Sequence, residues 1–262
     1  MKQLLIKILS FFSLKINRDI FGTHLSKINR TYKKLSFDDI YQIKIKKKTP
    51  IIFDIGANQG QSIIRFKKIF PKSSIHAFEP IEKEFNNLQK KFEDDDSIIL
   101  NNFTIGEKED EKDFYITANT SNSSFNKLNL NTEWIKIKSE QYNTTIDGYT
   151  KEIKKTKIRT LDQYCKKNNI EKIDLLKVDT QGYEDKVLNG ASEILKNNAV
   201  YAIEIELMFD NVYERCLNFS DVEKYLIPNH FAFSALEPNG GFRNIFEGHM
   251  FAVDALYFNK KF

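Results

Sequence analysis

From residue 50 onward the chain alternates between two periods of apolar and polar positions. Short apolar runs predict strands: IIFDI at 51–55, SIHAFE at 74–79, SIILNN at 97–102, IDLLKVD at 173–179 and VYAIEIE at 200–206. Between them the period lengthens to that of a helix. Ile63, Ile64, Phe66, Ile69 and Phe70 follow the first run, a second helical stretch covers 81–92, and Val187, Leu188, Ala191, Ile194 and Leu195 share one side of a third. Strand–helix repetition with nearly continuous apolar strands predicts a parallel sheet with helices on both faces. The end of the chain breaks the rhythm. FAFSAL (231–236) and MFAVDALYF (250–258) are separated by a Gly/Asn-rich loop too short for a crossover helix, so they should pair antiparallel at the sheet edge. Residues 104–157 are irregular and polar, with strands expected near 113–117 and 157–160 joined by a long surface loop.

The first 49 residues follow a different pattern and form a basic, helical extension ahead of a domain spanning 50–262. Leu4, Leu5, Ile8, Phe11 and Phe12 share a broad helical face, with Lys7, Ser10 and Asn17 elsewhere. One reading is a helix docked on the main domain. The other is an amphipathic helix whose residues 1–20 touch an anionic membrane surface. Charge sharpens the contrast: residues 1–50 hold 12 Lys/Arg against 3 Asp/Glu, while the whole chain is only +4. Lys7 and Lys15 interrupt the apolar run and no small-residue cleavage site follows, so the chain reads as unprocessed and cytoplasmic, with peripheral contact at the inner membrane face as the second reading. Cys165 and Cys216 lie far apart without metal-ligand spacing, which fits a reducing compartment.

Candidate chemistry gathers where the first strand ends, because open parallel sheets bind ligands beyond their carboxyl edge where strand order reverses. Asp54-Ile55-Gly56-Ala57-Asn58-Gln59-Gly60 supplies an acid and two glycines that permit a sharp turn and close backbone approach. The glycine spacing is GxxxG, not the GxGxxG that cradles a dinucleotide pyrophosphate. An acid there suits S-adenosylmethionine (SAM), which carries a cationic amino group and a sulfonium but no phosphate. Glu79, at the end of the second strand, can accept hydrogen bonds from both ribose hydroxyls, a feature that alone indicates only an adenosine-containing cofactor.

DIGANQG, HAFEP, TLD (160–162) and IDLLKVDTQGYEDKVLNG (173–190), in that order across about 50–206, resemble the FkbM family of SAM-dependent methyltransferases. The resemblance implies an α/β class I (Rossmann-like) fold with a mostly parallel seven-stranded sheet whose last strand is antiparallel. It implies methyl transfer to a hydroxyl of a sugar, glycan or related natural product. By position, Asp54, Gly56, Ala57, Asn58 and Gly60 would line the methionine side of SAM, and Glu79 would take the ribose. Asn102, Phe103 and Thr104 would border the adenine, and Ser124 matches a serine in the family's irregular segment.

Asp179, ending the fourth core strand beside the switch point, is the candidate catalytic carboxylate; capping the next turn or binding the amino group of SAM are its other readings. Glu184 reads as structural, Lys177 as a paired strand charge, and Glu204 or Glu206 as able to face the acceptor. The four histidines (His24, His76, His230, His249) form no metal-ligand spacing, so no metal is expected. A nicotinamide-dependent sugar oxidoreductase is disfavoured by GxxxG and because Tyr183 and Lys186 are three apart rather than four. A SAM-binding scaffold without turnover stays open. Nucleic-acid binding rests only on the basic N-terminus and is not expected.

Overall fold

The computed structural model describes residues 35–239 and 251–262. The expectations for residues 1–34, including the membrane-facing helix and His24, and for His249 lie outside the described residues. The chain divides into two compact units, Met1–Lys44 and Ile45–Phe262. In the first, a helix α1 spans Phe37–Lys44. Ser36 caps it: its Oγ accepts from Asp39 N, while Asp39 Oδ2 accepts from Ser36 N and Oγ.

The second unit carries a seven-stranded sheet built from β1 (Ile51–Ile55), β2 (Ser74–Phe78), β3 (Ile98–Asn101), β7 (Ile173–Val178), β8 (Val200–Met208), β9 (Phe231–Asn239) and β10 (Ala252–Asn259). Its order is β3-β2-β1-β7-β8-β10-β9. Every core pair is parallel except those of β10, which runs antiparallel to both β8 and β9. The expected hairpin therefore forms, with its second strand inserted beside β8 and its first on the edge. Strand order reverses between β1 and β7, and that is where a crevice opens.

Strand alternation sends Phe53, Ile55, Leu176, Val178, Ile203 and Ile205 to one face. There they pack against α5 (Leu161–Lys167), α6 (Glu184–Asn189), α7 (Ser192–Lys196) and α8 (Phe219–Leu226) through Leu161, Val187, Leu188, Leu195, Val222 and Leu226. The opposite face receives α2 (Gln61–Ile69), whose Arg65 reaches across to Glu204. The single helix expected over 187–195 is two short ones. At Gly190 a side chain would sit 1.9 Å from the carbonyl oxygen of Gly106, so the chain turns there to let two backbones meet.

The irregular segment is more ordered than its polar sequence suggests. A second sheet of three strands, ordered β4-β6-β5, joins β4 (Thr104–Ile105), β5 (Asp110–Thr117) and β6 (Thr150–Arg159). Between β5 and β6 lies α4 (Glu133–Gln141), opened by Thr132 Oγ1 accepting from Ile135 N. Its buried residue Ile135 packs with Leu128, Tyr149, Met208 and Val212, which fastens the inserted segment to the end of β8.

Candidate active site

A cleft of about 1150 Å³ opens beyond the carboxyl ends of β1, β2, β7 and β8, roofed by the segment inserted between β5 and β6. Its first wall is the turn after β1. Gly56 (φ 93°), Asn58 (φ 44°) and Gly60 (φ 81°) adopt left-handed conformations, open to glycine and tolerated by asparagine. A side-chain carbon at Gly56 would stand 1.9 Å from the carbonyl oxygen of Asp179, so this glycine lets β1 and β7 close on each other. Gly60 is favoured by its left-handed φ of 81°, and a side-chain carbon there would also press on the side chains of Leu88 and Phe92.

Glu79 stands at the rim of this turn with both carboxylate oxygens engaged. Oε2 accepts from Asn58 N (2.8 Å) and Oε1 from Ile81 N (2.7 Å). Each oxygen retains a second lone pair, so the anchored group can still accept from a ligand hydroxyl. Asn58 Nδ2 donates to Thr120 Oγ1 (3.2 Å), tying the turn to the inserted segment.

The floor is a set of charges in register. Asp54 pairs with Lys177 across β1 and β7, and Lys177 with Glu204 across β7 and β8. Two residues further along the strands, Asp179 and Glu206 occupy the cleft floor. Asp179 Oδ2 accepts from Lys177 Nζ (2.8 Å) and Oδ1 from Gln181 Nε2 (3.0 Å); the same Gln181 Nε2 donates to Glu206. Gln181 is itself left-handed (φ 57°), and Tyr213 OH donates to its Oε1.

Gly56, Ala57, Asn58, Glu79, Thr104 and Asp179 all line the cleft. Five other expected residues do not. Asp54 has no exposure and neither carboxylate oxygen has a hydrogen-bond partner. Strand alternation turns it onto the face it shares with Lys177, where burial raises its carboxyl and the Lys177 charge works against that rise. Gly60 lies behind the turn. Asn102 donates to the carbonyls of Glu79 and Pro80 and so holds the Glu79 corner. Phe103 packs edge-on against Phe78 beneath the Arg159 guanidinium. Ser124 Oγ donates to Gln181 O (2.7 Å) and clamps the turn after β7. Glu184 is structural as read, accepting from Thr180 N and Gly182 N. Glu206, read as able to face the acceptor, and Lys177, read as a paired strand charge, both line the cleft; Gln181 and Trp134 line it without having been singled out. Of these, Gln181 was visible in the TQG that follows Asp179.

Burial pushes most of these carboxyls upward: Asp54 to about 6, Glu79 and Glu184 to about 7, and Glu206 well above its ordinary value. For Asp179 burial is outweighed by the charge and hydrogen bond of Lys177, and its carboxyl falls below the usual range. A raised group holds its proton more tightly folded than unfolded. Its contribution to stability is therefore full below about pH 4 and lost as pH rises to about 7. The melting temperature of the ligand-free protein is expected to fall between about pH 5 and about pH 7.5, by roughly 2–4 °C for each kcal/mol lost. Scanning calorimetry across that range checks this, and a rising melting temperature contradicts it.

Among the described residues, no group of three or more His, Cys, Asp or Glu is arranged to hold a metal ion. No helix among them is long and apolar enough to cross a membrane.

Residues 54–243 match the family model described as "Methyltransferase FkbM domain". The 2-O-methyltransferase NoeI of Sinorhizobium fredii (strain NBRC 101917 / NGR234) is 27% identical over 159 residues, 60% of this chain and 64% of that one. Methyltransferase 1 of Beauveria bassiana (strain ARSEF 2860) is 24% identical over 165 residues, 62% of this chain and 66% of that one. The match thus spans just under two thirds of either relative. Among solved structures, an rRNA methylase from Streptococcus thermophilus superposes with a TM-score of 0.44 at 11% identity, covering 84% of this chain and 92% of the other.

Proposed function

The chain belongs to the FkbM methyltransferase family, and from that premise we propose that it transfers the methyl group of SAM to a hydroxyl of a sugar, glycan or related compound. The observation that carries the reading is Glu79: a carboxylate at the second strand end, pinned by two backbone N–H groups yet lining the cleft. That is the group a ribose diol requires, beside a turn with no pyrophosphate cradle.

The residues fit the cofactor on the structure's own terms. The Gly56–Asn58 turn and Thr104 line the same half of the cleft as Glu79. Asp179, held ionised by Lys177, lines the floor and can face a cationic ligand. SAM, when bound, supplies a methyl group activated by its sulfonium. We assign to Asp179 the role of receiving the acceptor's hydroxyl proton. Lys177 keeps it anionic, Gln181 fixes its orientation, and its side chain is 30% exposed toward the cleft. Orienting the acceptor is worth roughly 7–11 kcal/mol, and a positioned base about 10²–10⁴ in rate.

A nicotinamide oxidoreductase reading finds no support. Tyr183 OH is buried without a hydrogen-bond partner, Lys186 is bound to Glu107 (2.9 Å), and neither lines the cleft. The name of NoeI adds support for oxygen as the atom methylated. The deciding assay incubates the protein and SAM with a panel of glycosides and nucleotide sugars and reads products by mass. A gain of one methyl on a glycoside is expected. SAM consumption coupled only to a non-hydroxyl acceptor contradicts the proposal.

A further inference from the structure

The cleft is larger than one cofactor needs, since sites for a small molecule usually run to about 300–1,000 Å³. Its second half is made by the inserted segment and the end of β8. Here stands Trp134, the only tryptophan in the chain. Its ring is held from behind. Tyr149 meets it edge-on at 6.0 Å and 83°, and Tyr149 is fully buried with its hydroxyl bonded to Asn122 Oδ1 (3.0 Å). The neighbouring Ile135 is also fully buried and anchors the helix start to the core. Trp134 itself is only partly buried and lines the cleft.

Asn129, Asn131, Asp210 and Asn211 line the same cleft. Amides offer donors and an acceptor together, which matches hydroxyls that do both. Glu133 and Asp210 outnumber Lys138 in the lining, and at the floor Lys177 is paired with Asp179, so no cluster of unpaired cations is offered to a polyanion. A pyranose ring shows C–H groups on one face and hydroxyls around its edge. Polarised C–H groups settle on the electron-rich face of an aromatic ring.

We propose that this half is a pyranose subsite in which Trp134 stacks against the sugar face and the Asn129–Asn131 and Asp210–Asn211 pairs read its hydroxyls. The proposal rests on the methyl-transfer reading. It makes Trp134 a specificity-determining residue supplied by the inserted segment rather than by the family motifs.

The sole tryptophan also reports on the site. With the cofactor half filled by S-adenosylhomocysteine, its fluorescence is followed while methyl glucoside, mannoside, galactoside and fucoside are titrated in, and separately uridine monophosphate. A saturable change with at least one glycoside and none with the nucleotide is expected. Trp134→Ala should weaken binding of that glycoside, read by equilibrium dialysis, about tenfold. Trp134→Phe should stay within about threefold, and both variants should bind S-adenosylhomocysteine as the parent does. Failure of the parent to bind S-adenosylhomocysteine overturns the methyl-transfer reading itself. Normal binding of it, with no response to any glycoside or a response only to the nucleotide, overturns the pyranose subsite alone.

Discussion

Gly56→Ala is expected to destabilise the whole domain strongly. The added carbon would stand 1.9 Å from the carbonyl oxygen of Asp179, and the residue would have to hold φ 93°. The obstacle is backbone, which cannot rotate away as a flexible side chain can. β1 and β7 are central strands of the sheet, and Asp179 N donates to Ile55 O (3.0 Å) at that very point. Left-handed strain costs about 1–3 kcal/mol, and overpacking a further 1–3 kcal/mol. Against a domain stability of about 5–15 kcal/mol the loss is large. A melting temperature lower by on the order of 10 °C is expected. A variant melting within about 2 °C of the parent would show that the β1–β7 approach is not as tight as described.

Glu79→Ala should act on binding first. Hydrogen bonds to a charged group are worth about 1.5–3 kcal/mol, and this carboxylate also organises the turn by accepting from Asn58 N and Ile81 N. Losing both roles should weaken SAM binding about a hundredfold at a pH above the group's raised value of about 7, where it is ionised. Circular dichroism should report an intact fold, since the residue, though buried, lines the cleft rather than the apolar core. Glu79→Gln should fall between, because an amide oxygen can serve only one of the two N–H donors. Isothermal titration reads all three proteins, and equal affinities would remove Glu79 from the cofactor site.

The frame of this protein is written locally. IIFDI, SIHAF and IDLLKV are buried almost without interruption, and a run of that kind has few alternatives to a central parallel strand. The hairpin was legible because no helix fits between FAFSAL and MFAVDALYF. What escaped depends on contacts between distant residues. Asp54 looks available for ligand contact until β1 is set beside β7, when the register places it under cover with Lys177. Gly190 breaks a helix because Gly106 passes against it. β6 is longer than expected because most of its residues are exposed and polar, and its hydrogen bonds to β5 rather than burial hold it. Trp134 gives no periodic signal, and only the packing of Ile135 and Tyr149 brings it to the cleft.

The central claim is that the Glu79 cleft receives SAM rather than a dinucleotide. Calorimetric titration of the full chain with SAM, and in parallel with NAD, tests it most directly. Saturable heat with SAM and none with NAD is the predicted result; saturable NAD binding without SAM binding would contradict it.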